Sequence, residues 1–163
     1  MERKLMIAPS VGCCDLFHVE EQVRVINENS DFLHMDIKEL GCKAGVALSP
    51  SVPLSTIEYY LPLLDKVTIM IVDPGIAGQP VDPQMFVKIR QLAQIRKERG
   101  LDFLIKADGS MNKDLYRRLY EAGADLVVLG PPALWNKSDD FQEAWDIMEK
   151  ELETELEGAE RQF

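Results

Sequence analysis

Short apolar runs return along this chain at intervals that mostly leave room for one helix each. That alternation constrains the fold more than any single residue does. Residues 5–8, 32–37, 43–48, 66–72, 101–107 and 125–129 read as six strands. The run over 66–72 is apolar on both faces, as in a parallel sheet. Between them, apolar residues at helical spacing predict helices. One lies near 16–29, with Asp15 as N-cap and Val19, Val23 and Ile26 on one face. Ser55-Thr56-Ile57-Glu58 has the form of a capping box opening a helix to about Leu64, which Pro62 should kink or shorten. A third helix covers about 83–98, with Phe86, Ile89, Leu92 and Ile95 on one side and Gly100 at its end. A fourth runs from Asn112 to about Glu121, stopped by Gly123. A last one, over 140–155, carries Phe141, Ala144, Trp145, Met148 and Leu152 on a shared face. Strict β/α alternation predicts an α/β fold with a parallel sheet. One junction breaks the rhythm, because only Lys38-Glu39-Leu40-Gly41-Cys42 separates the second strand from the third. A parallel crossover needs a dozen or more residues. Either those two strands form a hairpin turning near Gly41, or one of them is not a strand.

A chain of 163 residues is one domain with room for a substantial core. Its net charge of −10 argues against unspecific nucleic-acid binding, which needs a basic face. Part of that excess is local, in Glu149, Glu151, Glu153, Glu155, Glu157 and Glu160, and reads as a solvated helix face and tail. Cys13, Cys14 and Cys42 form no metal-type pair, and two of them are adjacent. Reduced thiols in a cytoplasmic protein are the simplest account. No leader peptide and no apolar run of membrane length is read.

Three strings sit at strand ends, where parallel α/β proteins place their chemistry. They are His34-Met35-Asp36, Asp73-Pro74-Gly75-Ile76-Ala77-Gly78-Gln79 and Asp108-Gly109-Ser110. On a strand, His34 and Asp36 face the same way. They read as half of a divalent-metal site or as a structural hydrogen-bonded pair. Asp108 reads as a metal ligand, a general acid or base, or a cap for the next helix. Gly75, Ala77 and Gly78 keep side chains away, so backbone N–H groups there can approach a phosphate. Asp73 reads as turn-forming.

Taken in order, with Ile7-Ala8-Pro9-Ser10 ahead of them, these strings resemble the ribulose-phosphate 3-epimerase family, including its relatives acting on allulose 6-phosphate. The string from Lys66 to Pro80 is the most specific part of that resemblance. The resemblance implies a TIM barrel, here an incomplete (β/α)8 barrel of six strands in one domain over residues 1–163. It implies an isomerase of carbohydrate metabolism that inverts carbon 3 of a ketose phosphate. Asp36 and Asp108 match the family's two acid/base residues, on opposite sides of that carbon. His34, Asp36 and Asp108 match three ligands of a divalent ion (zinc, iron, manganese or cobalt) that stabilises the enediolate. Ser10 and Met70 match substrate-contacting residues. Gly75, Ala77 and Gly78 match the loop over the phosphate, and Gly109, Ser110 and Gly130 match its backbone donors.

The sequence departs from the family pattern twice. After Ile37 it passes directly to a segment resembling the end of the family's fourth helix, as if an internal block of two strand-helix units were absent at 37–38. The strand that would bring the fourth metal ligand, a histidine, goes with it. His18, the only other histidine, lies in the first helix and reads as a surface residue. The last strand ends in Gly130-Pro131-Pro132, and proline removes two N–H donors. A sheet short of two strands has open edges, which invite pairing in a homo-oligomer. The expected partners are thus a small ketose phosphate and a second copy, with neither nucleic acid nor membrane.

Overall fold

A computed structural model describes residues 24–25, 43–73 and 79–161. The chain divides into two compact units, Met1–Ala44 and Gly45–Phe163. In the first, Arg24 and Val25 are helical and exposed. The predicted strands over 5–8 and 32–37, the short junction, the cysteines and His18 lie outside the described residues.

In the second unit four strands run β1 (Gly45–Leu48), β2 (Lys66–Met70), β3 (Leu104–Asp108) and β4 (Leu126–Val127), in that spatial order. All three pairings are parallel. Among the described residues, three α-helices accompany the sheet: α1 (Gln84–Glu98), α2 (Lys113–Ala122) and α3 (Phe141–Leu156). The α/β reading and four of the six expected strands are therefore seen. Among the described residues no helix is long and apolar enough to cross a membrane.

Local chemistry sets most of the helix ends. Asn112 accepts from Asp114 N at 3.1 Å and opens α2, and Gly123 closes it at φ 101°. Asp140 accepts from Glu143 N at 2.8 Å and opens α3. After α1, Arg99 is the C-cap and Gly100 takes φ 59° beyond it.

Two expectations are corrected. The capping box at 55–58 does not form, and the predicted helix is two 3-10 turns, Leu54–Ile57 and Leu61–Leu63. Thr56 spends both its N–H and its hydroxyl on Pro53 O, at 3.2 and 2.5 Å. Pro62 has no N–H to bond back to Glu58, so the second turn cannot continue an α-helix. The apolar face predicted for α3 is also narrower in fact. Ala144 and Met148 are buried, whereas Phe141 and Trp145 are exposed. Leu134 and the partly buried Leu129 pack with Ala144 and Met148 in a small cluster, and the partly buried Leu152 packs on the main core, which leaves Phe141 and Trp145 uncovered.

The core lies between the sheet and α1–α2. Val67 and Ile69 of β2, Ile71 just beyond it, and Ile105 and Ala107 of β3 are fully buried against Phe86, Ile89 and Leu92 of α1 and Leu115, Tyr116 and Leu119 of α2. Each such large side chain stabilises by roughly 1.5–3 kcal/mol. Arg118 lies 4.0 Å over the Phe86 ring and ties α2 to α1. The other face of the sheet carries Thr68, Met70, Lys106 and Asp108, in register across β2 and β3. It is much less covered, with Leu104 and Leu126 exposed by 48% and 40%.

Candidate functional site

Residue alternation puts the site residues on that less-covered face. Met70 and Asp108 are register partners at the C-terminal ends of β2 and β3, so two residues singled out in the sequence meet side by side. The Asp108 carboxylate is 31% exposed, and its Oδ2 lies 3.6 Å from Lys106 Nζ. It does not cap the next helix, because Asn112 does. Of the three readings of Asp108, metal ligand and general acid or base stay open.

The turn after Asp108 is built for backbone exposure. Gly109 has φ 124° and Ser110 has φ 42°. A Cβ on Gly109 would stand 2.5 Å from Val72 Cγ2, so glycine is required there for space as well as for conformation. Ser110 holds a left-handed conformation unusual for a serine. Two contacts compensate. Its hydroxyl donates to Gln79 O at 2.8 Å, and its carbonyl accepts from Asn112 Nδ2 at 3.3 Å. Ser110 thus has only its N–H to offer a phosphate, in keeping with a backbone donor. No acceptor among the described residues takes the N–H of Gly109 or Ser110.

The glycine-rich string is gripped at its two ends. Gln79 Nε2 donates to Asp73 O at 3.4 Å, and Asp82 N donates to Ile71 O at 3.1 Å. With the Ser110–Gln79 bond, the second and third strings become neighbours. Gly75, Ala77 and Gly78 lie outside the described residues, as do Ser10, His34 and Asp36. Gly130 is described, half-buried, and its carbonyl accepts from Ala133 N at 3.0 Å and Leu134 N at 3.1 Å.

Two lysines at this end escaped the sequence reading. Lys106 is two positions before Asp108 on a strand, and the period-two rule alone puts it on the same face. Lys88 interrupts the apolar stripe of α1 and is buried. Its ammonium donates to Ser49 O at 2.9 Å, to Pro50 O at 3.4 Å and to Val52 O, pinning the loop after β1. Burial pushes its pKa down. A lysine within an otherwise buried stripe was the available signal.

Comparison with known proteins follows the same segment. Residues 17–134 match a family model described as the ribulose-phosphate 3 epimerase family. The chain is 44% identical over 111 residues to a ribulose-phosphate 3-epimerase of Synechocystis, covering 66% of this chain and 48% of that protein. It is 36% identical over 116 residues to one of Escherichia coli, covering 71% and 51%. It is 41% identical over 104 residues to one of Bacillus subtilis, covering 63% and 48%. The chain spans about half the length of the relatives it matches.

Proposed function

This chain belongs to the ribulose-phosphate 3-epimerase family, and on that premise we propose that it is a single barrel-derived domain inverting carbon 3 of a ketose phosphate. The observation that carries the proposal is the placement of Asp108. It stands at a strand's C-terminal end beside Met70, and it leads into a left-handed turn tied to the phosphate-loop string. Of Asp36 and Asp108, one takes the proton from carbon 3 and the other returns one to the opposite face. An enediolate lies between the two steps. Met70 shields that reacting carbon, and Ser10 holds the sugar. The N–H groups of Gly109, Ser110 and Gly130 hold the phosphate under the loop of Gly75, Ala77 and Gly78.

The donor chemistry fits a divalent ion. Asp108 offers a partly exposed carboxylate that takes no hydrogen bond from any described residue. His34, Asp36 and Asp108 would hold the ion, and two carboxylates with an imidazole suit zinc, iron, manganese or cobalt. Such an ion supplies positive charge where the carbonyl and hydroxyl oxygens become anionic. Among the described residues β1 and β4 each pair on one side only, which suits a homo-oligomer, and a cytoplasmic location fits the reading of the cysteines as reduced thiols.

A second reading is a sugar-phosphate binder without chemistry. It is favoured by the half-length match and by Pro131 and Pro132, which offer no N–H after Gly130. Exchange of the carbon-3 proton with deuterated water separates the two. The epimerase reading expects exchange on ribulose 5-phosphate or allulose 6-phosphate with saturating divalent metal, and its loss in both Asp36→Asn and Asp108→Asn. No exchange, with phosphate binding kept, establishes the second reading instead.

A further inference from the structure

We propose that Lys106 is the resident cation of the Asp108 carboxylate, so that a divalent ion gains this ligand only by displacing the Lys106 ammonium. The inference rests on the reading of Asp108 as a metal ligand. Three observations carry it. Lys106 and Asp108 are two apart on β3, so both side chains rise from one face of the sheet. Their charged atoms are 3.6 Å apart, inside ion-pair range and beyond a tight hydrogen bond. Neither has another ion-pair partner among the described residues.

On the neighbouring strand, Thr68, the register partner of Lys106, is buried, and Met70 lies beside Asp108. The Lys106 ammonium lies toward the carboxylate at the end of its own strand. Both side chains are mostly covered, at 21% and 31% exposure, so water screens their attraction only in part. An incoming dication meets a carboxylate already neutralised and an ammonium of like charge. The lysine stem is flexible enough to swing aside, which makes displacement a cost in affinity and not a block.

The test is calorimetric titration of the full chain with Mn²⁺ at low ionic strength, with no sugar present. Lys106→Met keeps the stem and removes the charge, and should bind Mn²⁺ about tenfold more tightly than the unaltered chain. Lys106→Arg keeps the charge and should stay within about twofold. Adding Asp108→Asn to Lys106→Met should erase the gain. Circular dichroism checks folding, and Lys106→Gln replaces the methionine variant if that variant unfolds. Equal Mn²⁺ affinity with and without Lys106, no binding in either, or a gain that survives Asp108→Asn each overturns the proposal. The epimerase reading fails separately, by absent proton exchange. Tighter Mn²⁺ binding without exchange leaves Lys106 in its role and removes the catalytic one.

Discussion

At the N-terminal end of the sheet, Asp125 takes hydrogen bonds from Ile105 N at 2.8 Å, from Arg161 Nη1 at 2.8 Å and from Arg96, with its side chain 14% exposed. Arg96 also donates to Phe103 O at 2.8 Å, and Arg161 to Ala124 O at 3.1 Å. At the C-terminal end, the Asp108 carboxylate meets, among the described residues, only Lys106 at 3.6 Å and is 31% exposed. One carboxylate is saturated with donors and joins α1, β3 and β4. The other keeps its oxygens available and sits on a turn that needs left-handed backbone at two successive residues. Barrel-type sheets keep stability at the bottom and chemistry at the top, and under the proposed role of Asp108 the same residue type serves each purpose here.

The comparison breaks first at the bottom. Asp125→Ala strands two guanidinium groups and the Ile105 N–H, and should cost about 3 kcal/mol of unfolding free energy by urea denaturation. The same carboxylate sets an acid limit. Burial alone would raise its pKa, but the hydrogen bond from Arg96, that from Ile105 N–H, the Arg96 charge and the hydrogen bond from Arg161 together hold it below the ordinary 3.8. A depressed folded-state value means that its contribution is complete above about pH 5 and fades as pH falls through the carboxylate range toward that lower value. Melting temperatures followed down to about pH 2 should fall less steeply in Asp125→Asn than in the unaltered chain. At the top, Gly109→Ala forces a Cβ against Val72 in a backbone conformation that alanine disfavours, and should cost about 2 kcal/mol in the same denaturation. The smallest effect sharpens the contrast most. Asp108→Asn should change stability by less than about 0.5 kcal/mol while abolishing proton exchange. A loss of stability there as large as at Asp125 would make Asp108 a structural residue and erase the difference between the ends.

How much of this was legible in the residue order follows from the range of each interaction. Asn112, Asp140 and Gly123 act on backbone groups within a few positions, and they mark helix ends in the structure as they do in the sequence. The capping box at 55–58 obeys the same local logic and fails, because a competing local bond from Thr56 to Pro53 and the missing N–H of Pro62 outweigh it. The stripe on α3 was read from spacing alone, and spacing does not say how much neighbour is present to bury it.

The amino-acid sequence by itself determined the alternation of strands and helices, the ends of most helices, and the placement of Asp108 at a strand terminus. Those features depend on residue type and on periods of two and 3.6, which neighbours along the chain express without help. Only the tertiary structure decided that Arg96 reaches Asp125 across 29 positions, that Lys88 pins Ser49 across 39, and that Ser110 meets Gln79 across 31. No local rule selects one distant carbonyl or carboxylate among many. Packing of the helices on the sheet brings those groups within hydrogen-bond reach, and burial then makes leaving them unpaired costly.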